Sequence, residues 1–364
     1  MKKELLNILI DKFKKTLLST DDVKRILSKD EKILEKLALL DEELFATAVD
    51  IILMYKDDRD IITAIDLLTN AREEVLPYLI KTLTDENLIK VQTDEELTYV
   101  YGNLIIRAAQ IISKSKSKYN AECAYKVLTD KNAIKEGIAL EGAEITNESK
   151  EWYNAKYSAK VLTDKDIIKT GLAPEIALLF NESKAWYNAY YAFSALTNKD
   201  LRKTKLVLTP VGIINKSKAW YNAYYAFSAL TNKDLMKVGM EYDAAGIINE
   251  SEKYYNAYYA YSLLTNRAAI KAGIAPDGAR IVNAAENEGI AEYVCNVFTD
   301  EGTIRQGKTY EFAKIICHAS TPELAEILGK TLLNMTKIKT FANVGANGKG
   351  NAKVRRLQKT SEEE

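Results

Sequence analysis

The chain has 364 residues with 51 basic and 51 acidic side chains, so its formal net charge is zero. This balance excludes a strong global attraction to nucleic acid or to an anionic membrane surface. The length exceeds that of one ordinary globular core, although a fold that grows by adding repeats has no such limit. Three widely spaced cysteines without a CxxC pair favour reduced thiols and a cytoplasmic location over a disulfide framework.

Residues 1–73 are predicted to form an N-terminal helical cap on the rest of the fold. The first residues mix apolar side chains with charged ones such as Glu4 and Asp11, which is typical of an amphipathic helix and not of a signal peptide. The segment 19–22 (STDD) predicts a helix cap before Val23. No run approaches the roughly 18 apolar residues of a membrane span, so we expect no membrane partner.

The central part of the chain is a tandem repeat. The tripeptide Tyr-Asn-Ala recurs every 34 residues and begins at Tyr119, Tyr153, Tyr187, Tyr221 and Tyr255. A fixed period of this size indicates an architecture in which each unit buries its apolar face against its neighbours. We therefore assign 74–335 to a repeat domain, and we call each 34-residue segment a copy. Leu83 and Leu128 end equivalent helices 45 residues apart, which predicts an 11-residue inserted loop near 94–103.

Each copy is predicted to contain a long, a short and a medium helix. The long helix carries Tyr-Asn-Ala and ends at Leu-Thr-Asp or Leu-Thr-Asn, whose last residue caps a short helix such as 131–136. A glycine such as Gly137 then suits the left-handed end of that short helix. The medium helix, such as 175–180, ends at Asn-x-Ser, and we predict that a serine such as Ser183 caps the next long helix.

This order of helices resembles the armadillo repeat and the related HEAT repeats, most clearly in the turn segment 166–174 (DIIKTGLAP). The resemblance implies an all-α fold, a right-handed α-solenoid of 34-residue armadillo/HEAT-like repeats. Two other families with 34-residue units agree less well with the sequence. Tetratricopeptide repeats would place Gly239 inside a helix, at a cost of about 1 kcal/mol. TAL-effector repeats need a two-residue base-reading loop next to a glycine pair, and Asn-x-Ser provides none.

The repeated tyrosines are the first candidate functional surface. On a helical wheel the Ala and Leu positions of the long helix form a core face, and the tyrosines lie opposite to it. In armadillo-like stacks this helix lines a concave groove, so the resemblance implies a tyrosine-lined groove for a protein or peptide. The alternative is that many rings pack sideways between copies. The expected groove residues are Tyr153, Tyr157, Tyr187, Tyr190, Tyr191, Tyr221, Tyr224, Tyr225, Tyr255, Tyr258, Tyr259 and Tyr293.

The asparagine of each Tyr-Asn-Ala motif has a different expected role. Armadillo importins and catenins hold an extended peptide with an asparagine four residues after a groove tryptophan. Here Tyr225 would match that tryptophan, but Ala229 stands where the asparagine is needed. We therefore expect Asn222 and its equivalents to form internal hydrogen bonds between copies.

A second repeated surface is basic and lies on the short helices. Two rows of cations, four residues apart, share one helix face: Lys131, Lys165, Lys199, Lys233 and Arg267, and Lys135, Lys169, Lys203, Lys237, Lys271 and Arg305. The segment 336–364 is predicted to be a flexible tail that contains glycines and basic residues, including Arg355 and Arg356. These cations suggest an alternative function, binding of a nucleic-acid phosphate backbone. Lysines near helix C-termini also favour the helix dipole and solubility without any partner.

Catalytic residue patterns are sparse. His318 is the single histidine, and the side chain of its neighbour Cys317 would point about 100° away on a helix. Cys295, Cys317 and His318 do not match the ligand spacing of a zinc site, and 345–350 (GANGKG) lacks a complete phosphate-binding loop motif. We therefore predict a non-enzymatic scaffold or adaptor without cofactor or metal. A third interpretation is a structural subunit of a larger assembly, such as a virus particle.

Overall fold

A computed structural model describes residues 3–16, 18–88, 104–202 and 208–337. These residues form α-helices joined by turns, and no β-strand occurs among them, so the predicted all-α class is confirmed. The chain divides into two compact units, unit 1 (Met1–Ala189) and unit 2 (Tyr190–Glu364). The predicted domain limits at residues 73 and 335 concern the extent of the sequence repeat and stay predictions.

Unit 1 begins with helices that lie in residues 3–83. They are α1 (Lys3–Phe13), α2 (Thr20–Leu27), α3 (Glu31–Leu39), α4 (Glu42–Met54), α5 (Asp58–Asn70) and α6 (Leu76–Leu83). The predicted cap before Val23 is confirmed, because the Ser19 hydroxyl accepts a hydrogen bond from the Asp22 backbone at 3.1 Å. The Asp22 carboxylate in turn accepts from the Ser19 backbone at 3.2 Å, which completes a capping box. The loop predicted near 94–103 lies outside the described residues.

The rest of unit 1 follows the predicted order of long, short and medium helices. Its elements are α7 (Leu104–Ser113), α8 (Lys118–Leu128), α9 (Lys131–Lys135), α10 (Ala139–Asn147), α11 (Trp152–Leu162), α12 (Lys165–Ile168) and α13 (Ala173–Asn181). The long helix α8 packs against the medium helix α10 of its own copy and against the next long helix, α11. Helix α11 contacts α13 in the same way. Helix α14 (Trp186–Leu196) spans the boundary between the units.

Unit 2 has the same succession of elements. They are α15 (Lys199–Arg202), α16 (Leu208–Asn215), α17 (Trp220–Leu230), α18 (Lys233–Val238), α19 (Glu241–Asn249), α20 (Tyr254–Leu264), α21 (Arg267–Ala272), α22 (Ala275–Asn283), α23 (Glu288–Thr299), α24 (Glu301–Arg305) and α25 (Thr309–Cys317). A further helix covers residues 322–337. Here α17 packs against α19 and α20, and α20 packs against α22 and α23. Each unit is therefore built like a helical repeat.

Two local predictions about the copies are confirmed. The glycine that ends the short helix has a positive φ, for example 77° at Gly137 and 70° at Gly239, which an L side chain rarely adopts. The short helices are capped by the expected Asp or Asn, since the Asp130 carboxylate accepts from the backbone of Asn132 and Ala133, both at 2.9 Å. These two signals fix where the chain leaves each long helix and where the medium helix begins.

The asparagines of Tyr-Asn-Ala are buried and bind the ends of the medium helices. The Asn222 amide donates to the carbonyls of Ile248 at 2.9 Å and Ser251 at 3.0 Å. Asn154 makes the equivalent bonds to the end of α13, and Asn256 makes them to the end of α22. The last carbonyls of a helix have no partner within that helix, so these amides supply one. The expected internal bonding is confirmed, but the bonds run within a copy and not between copies.

A second set of side chains, buried serines and half-buried asparagines, links consecutive copies, and we call it the Asn-Ser ladder. The hydroxyl of Ser251 donates to the Asn283 side-chain oxygen at 2.6 Å, and the Asn283 amide donates to the Ile247 carbonyl at 2.6 Å. The same pattern joins Ser149 to Asn181 at 2.6 Å and Ser217 to Asn249 at 2.7 Å. The serine of each pair precedes a Tyr-Asn-Ala motif and the asparagine follows that motif, so the two members come from successive copies.

The ladder explains why the predicted serine caps are wrong. The residues at the cap positions of α11, α17 and α20 are Glu151, Ala219 and Lys253. The serine of Asn-x-Ser lies two residues earlier, where its hydroxyl donates to the next copy. Its role is therefore to join copies and not to start a helix.

We expect the Ser251→Ala variant to lower the free energy of unfolding by about 1–3 kcal/mol, because it leaves the Asn283 side-chain oxygen without its buried donor. Ser115→Ala is the matched control, since Ser115 is buried at the equivalent position with a hydroxyl that has no hydrogen-bond partner. Removing the Ser115 hydroxyl should change the free energy of unfolding little. Denaturant unfolding of both variants measures this, and equal losses would contradict the assigned role of the ladder.

A second stability prediction concerns the start of the long helices. The Ser117 hydroxyl caps α8 by accepting from the Asn120 backbone at 3.2 Å and also donates to the Asn120 side-chain oxygen at 2.5 Å. Ala219 occupies the equivalent position with a similar extended backbone, and the Asn222 side-chain oxygen is buried without a partner. Ala219→Ser should therefore stabilise the protein by about 0.5–2 kcal/mol.

The reverse change, Ser117→Ala, should destabilise the protein by a similar amount. Thermal unfolding of the two variants against the parent chain gives both signs in one experiment. A neutral Ala219→Ser variant would show that the orphaned oxygen of Asn222 is already satisfied in solution.

Candidate functional site

The first tyrosine of the motif bonds, in two copies, to the turn that precedes the next long helix. The Tyr221 hydroxyl donates to the Glu252 carbonyl at 2.7 Å, and the Tyr255 hydroxyl donates to the Glu286 carbonyl at 2.9 Å. Both rings are half-buried, as is Tyr187, whereas Tyr153 is buried. The row therefore holds neighbouring turns in place and presents only part of each ring to a partner.

The tyrosines four residues later form a supporting layer. Tyr157, Tyr225 and Tyr293 are less than a tenth exposed, and Tyr191 and Tyr259 are half-buried. Burial, and then the hydroxyl contact with Tyr254 at 3.3 Å, raises the pKa of Tyr225. Burial followed by nearby carboxylates raises the pKa of Tyr259 to about 12. These phenols therefore stay protonated at neutral pH.

These positions correct the expectation that all the tyrosines line an open groove. Tyr153, Tyr157, Tyr225 and Tyr293 are buried and cannot meet a partner without rearrangement. The cause is the sideways packing of neighbouring long helices, which covers this side of each helix. Tyr225, for example, lies with its ring 5.4 Å from that of Tyr261 on the next long helix.

The exposed aromatic side chains occupy two other positions. One is three residues after the first tyrosine, at Tyr190, Tyr224 and Tyr258. The other is the residue just before the first tyrosine of Tyr-Asn-Ala. This position was not among the predicted groove residues, although tryptophan recurs there. Its members are Trp152, Trp186, Trp220 and Tyr254.

Unit 2 combines both positions, and we call the resulting surface the aromatic strip. Its side chains are 41–52% exposed, which is high for residues of this size. They come from the helices α14, α17 and α20, which provide the same positions in successive copies. The members of the aromatic strip are Tyr190, Trp220, Tyr224, Tyr254 and Tyr258.

The rings of the aromatic strip support one another. Trp220 and Tyr254 lie 5.9 Å apart between ring centroids, and Tyr254 stacks on Tyr258 at 6.4 Å with an angle of 9° between the planes. Tyr225 lies 6.1 Å from Tyr258 and provides the layer beneath. Contacts at these distances favour fixed ring orientations. The strip is thus an ordered surface before any partner binds.

The chemistry of the strip is apolar with hydroxyl groups at its edge. In the segments 220–225 (WYNAYY) and 254–259 (YYNAYY) no side chain is charged. A surface of this composition can bury rings and bond to polar groups, but it offers no ion for a phosphate or a carboxylate. It therefore suits a protein surface better than a polyanion.

The predicted basic rows lie on exposed parts of the short helices. Their described members are all exposed, whereas Lys203, Arg355 and Arg356 lie outside the described residues. Arg267 pairs with Asp234 at 2.9 Å, and this hydrogen bond is the main cause of the lowered pKa of Asp234. The exposed described members are Lys131, Lys135, Lys165, Lys169, Lys199, Lys233, Lys237, Arg267, Lys271 and Arg305.

Some of these cations line a pocket of about 420 Å³ next to α21 and α24. Arg267, Lys271 and Arg305 contribute the positive charge, and Glu301 pairs with Arg305 at 2.5 Å. Two of the three cations are therefore already neutralised in part by carboxylates. The basic rows therefore form a solvent-exposed surface whose positive electrostatic potential is reduced by the paired carboxylates.

Cys317 and His318 end α25 and do not form a dyad. The His318 ring nitrogen Nδ1 lies 2.7 Å from the Lys314 carbonyl oxygen. Burial raises the pKa of the Cys295 thiol to about 12. Within the described ranges, no group of three His, Cys, Asp or Glu side chains is arranged to hold a metal ion. No helix in the described part of the chain has the length and apolar character needed to cross a membrane.

These features define the class of the protein as all-helical with a repeat-like arrangement of helices. Comparisons with models of protein families, with curated proteins and with solved structures found no match to this chain. The aromatic strip is accordingly assigned from its own residues and geometry.

Proposed function

We propose that this protein is a non-enzymatic scaffold or adaptor that binds a protein or peptide partner through the aromatic strip of unit 2. The supporting observation is the set of five large aromatic side chains, each 41–52% exposed, on three helices in segments whose own residues carry no charge. Isolated exposed apolar residues are common, whereas a contiguous set of this kind marks an interaction surface. Tryptophan and tyrosine are also the residues most enriched at the energetic centres of protein interfaces.

We also propose that the copies form a right-handed α-solenoid of the armadillo/HEAT type, in the cytoplasm. The order of long, short and medium helices and the packing of successive long helices in each unit support this architecture. The side-chain ladder supports it too, because it repeats one contact at three junctions between copies. In such a stack the long helices, and with them the aromatic strip, lie on the concave side.

The strip can be tested with substitutions that the fold already accepts. The position of Tyr224 and Tyr258 is occupied by Glu122 and Lys156 in the copies of unit 1. The double variant Tyr224→Lys/Tyr258→Lys should fold and should lose peptide binding, because two aromatic anchors are replaced by charges. Peptides selected by display on the intact chain serve as ligands, and their affinity should fall by about tenfold or more.

Two controls make this test specific. Val238→Lys/Ala272→Lys adds the same charges to exposed positions on the short helices of unit 2 and should leave peptide affinity unchanged. A single-stranded oligonucleotide tests the basic alternative, since added lysines would strengthen the binding of a polyanion. Peptide affinities equal in the parent chain and in Tyr224→Lys/Tyr258→Lys would refute the proposed surface.

A further inference from the structure

Unit 1 has a pocket at the place where unit 2 has packed tyrosine rings. We call it the Cys123 pocket, and its volume is about 390 Å³. It lies between the long helices α8 and α11 and is open to solvent. Its lining residues are Tyr119, Glu122, Cys123, Lys126, Trp152 and Lys156.

Two ring positions of the copy carry small residues in this part of unit 1, and one of them, Cys123, lines the pocket. In unit 2 the Tyr225 ring lies 5.4 Å from Tyr261 and 6.2 Å from Tyr254. The residues 102 positions earlier, which is three periods of 34, are Cys123, Ala159 and Trp152. Unit 1 therefore keeps the aromatic wall but lacks the two rings that fill the equivalent space. The space of about 390 Å³ is large enough to hold an aromatic side chain.

The walls of the pocket are suited to such a guest. Trp152 and Tyr119 are about half exposed, so their rings are free to pack against an incoming ring. Cys123 forms a small apolar floor, and its burial raises the pKa of the thiol to about 11, which keeps it neutral at pH 7. The pocket therefore offers ring faces and a neutral floor, and no carboxylate faces it unpaired.

The charges at the edge of the pocket favour an acidic ligand. Glu122 accepts hydrogen bonds from Lys126 at 2.6 Å and from the Tyr78 hydroxyl at 3.2 Å, which lowers the pKa of its carboxyl and neutralises its charge. The Lys156 ammonium lies 5.6 Å from the centre of the Trp152 ring. Among the described residues, Lys156 contacts the Trp152 and Tyr157 rings and has no ion pair, so its positive charge is available to a ligand beside the indole.

We infer that the Cys123 pocket binds an aromatic side chain of a peptide, with an acidic neighbour of that residue contacting Lys156. The inference rests on the proposed peptide-binding function and adds a second site of a stated chemistry in unit 1. The ring of the peptide takes the place that Tyr225 fills in unit 2. The acidic neighbour distinguishes this site from the uncharged aromatic strip.

The test compares two probes with three variants of the full chain. The peptide acetyl-Glu-Tyr-Glu-amide should bind, and acetyl-Glu-Ala-Glu-amide should not, in an NMR titration that follows the signals of the peptide and therefore works equally in every variant. Cys123→Tyr should weaken the binding by about tenfold or more, because its own ring fills the pocket. Cys123→Ala, the matched control, keeps the pocket open and should bind within about twofold of the parent. Trp152→Ala removes a half-exposed wall and should also abolish binding.

Thermal unfolding shows which variants are folded, and the Trp152→Ala result stands if Cys123→Tyr does not fold. Binding that persists in Trp152→Ala or in a folded Cys123→Tyr variant would overturn the inference. An oligonucleotide that binds the parent chain and is excluded by Cys123→Tyr would also overturn it, in favour of a nucleobase site. Tyr224→Lys/Tyr258→Lys leaves the Cys123 pocket intact and should still bind acetyl-Glu-Tyr-Glu-amide. A wrong assignment of the aromatic strip and a wrong assignment of the pocket therefore give different results.

Discussion

Buried side-chain amides are the constraint on which the repeated structure depends. A medium helix ends inside the protein, where its last carbonyls are shielded from water and need donors. Asn256 supplies them from the long helix of its own copy, while Asn283 bonds backward to Ile247 and to Ser251 of the preceding copy. Because these bonds have fixed directions, they set how one copy lies on the next, which apolar packing alone would leave adjustable.

This fixed spacing determines which side chains are free to function. Once successive long helices are held side by side, the first and fifth residues of the Tyr-Asn-Ala region face a neighbour and are needed for packing. The preceding residue and the fourth residue are more exposed. Helices α17 and α20 of unit 2 carry rings there, whereas the fourth residue in unit 1 is the half-buried Glu122 or the exposed Lys156. One scaffold thus carries an uncharged aromatic surface in one unit and a mixed aromatic and basic surface in the other.

The features that could be predicted from the sequence are those that depend on one chain segment. The glycine turn, the Asp and Asn caps and the buried Ala and Leu face follow from local backbone and helix geometry. The roles of the tyrosine rows and of Ser251 did not follow, because they depend on the neighbouring copy. A helical wheel treats a helix in isolation and cannot tell which of its sides another helix will cover. The tryptophan that recurs every 34 residues at the position of Trp220 could have indicated the exposed aromatic position from the sequence alone.

The ladder has a consequence for how such a chain can evolve. Asn249 accepts from Ser217 of the preceding copy, and Ser251 of the same copy donates to Asn283 of the next, so adding or deleting a whole copy of this kind leaves the neighbouring junctions with the same bonds. A change in copy number is therefore structurally neutral at the joints, unlike an insertion within a copy. The 19 identical residues shared by 183–201 and 217–235 are the trace expected of such a recent duplication. Length in this architecture is a quantity that recombination can alter in steps of 34 residues.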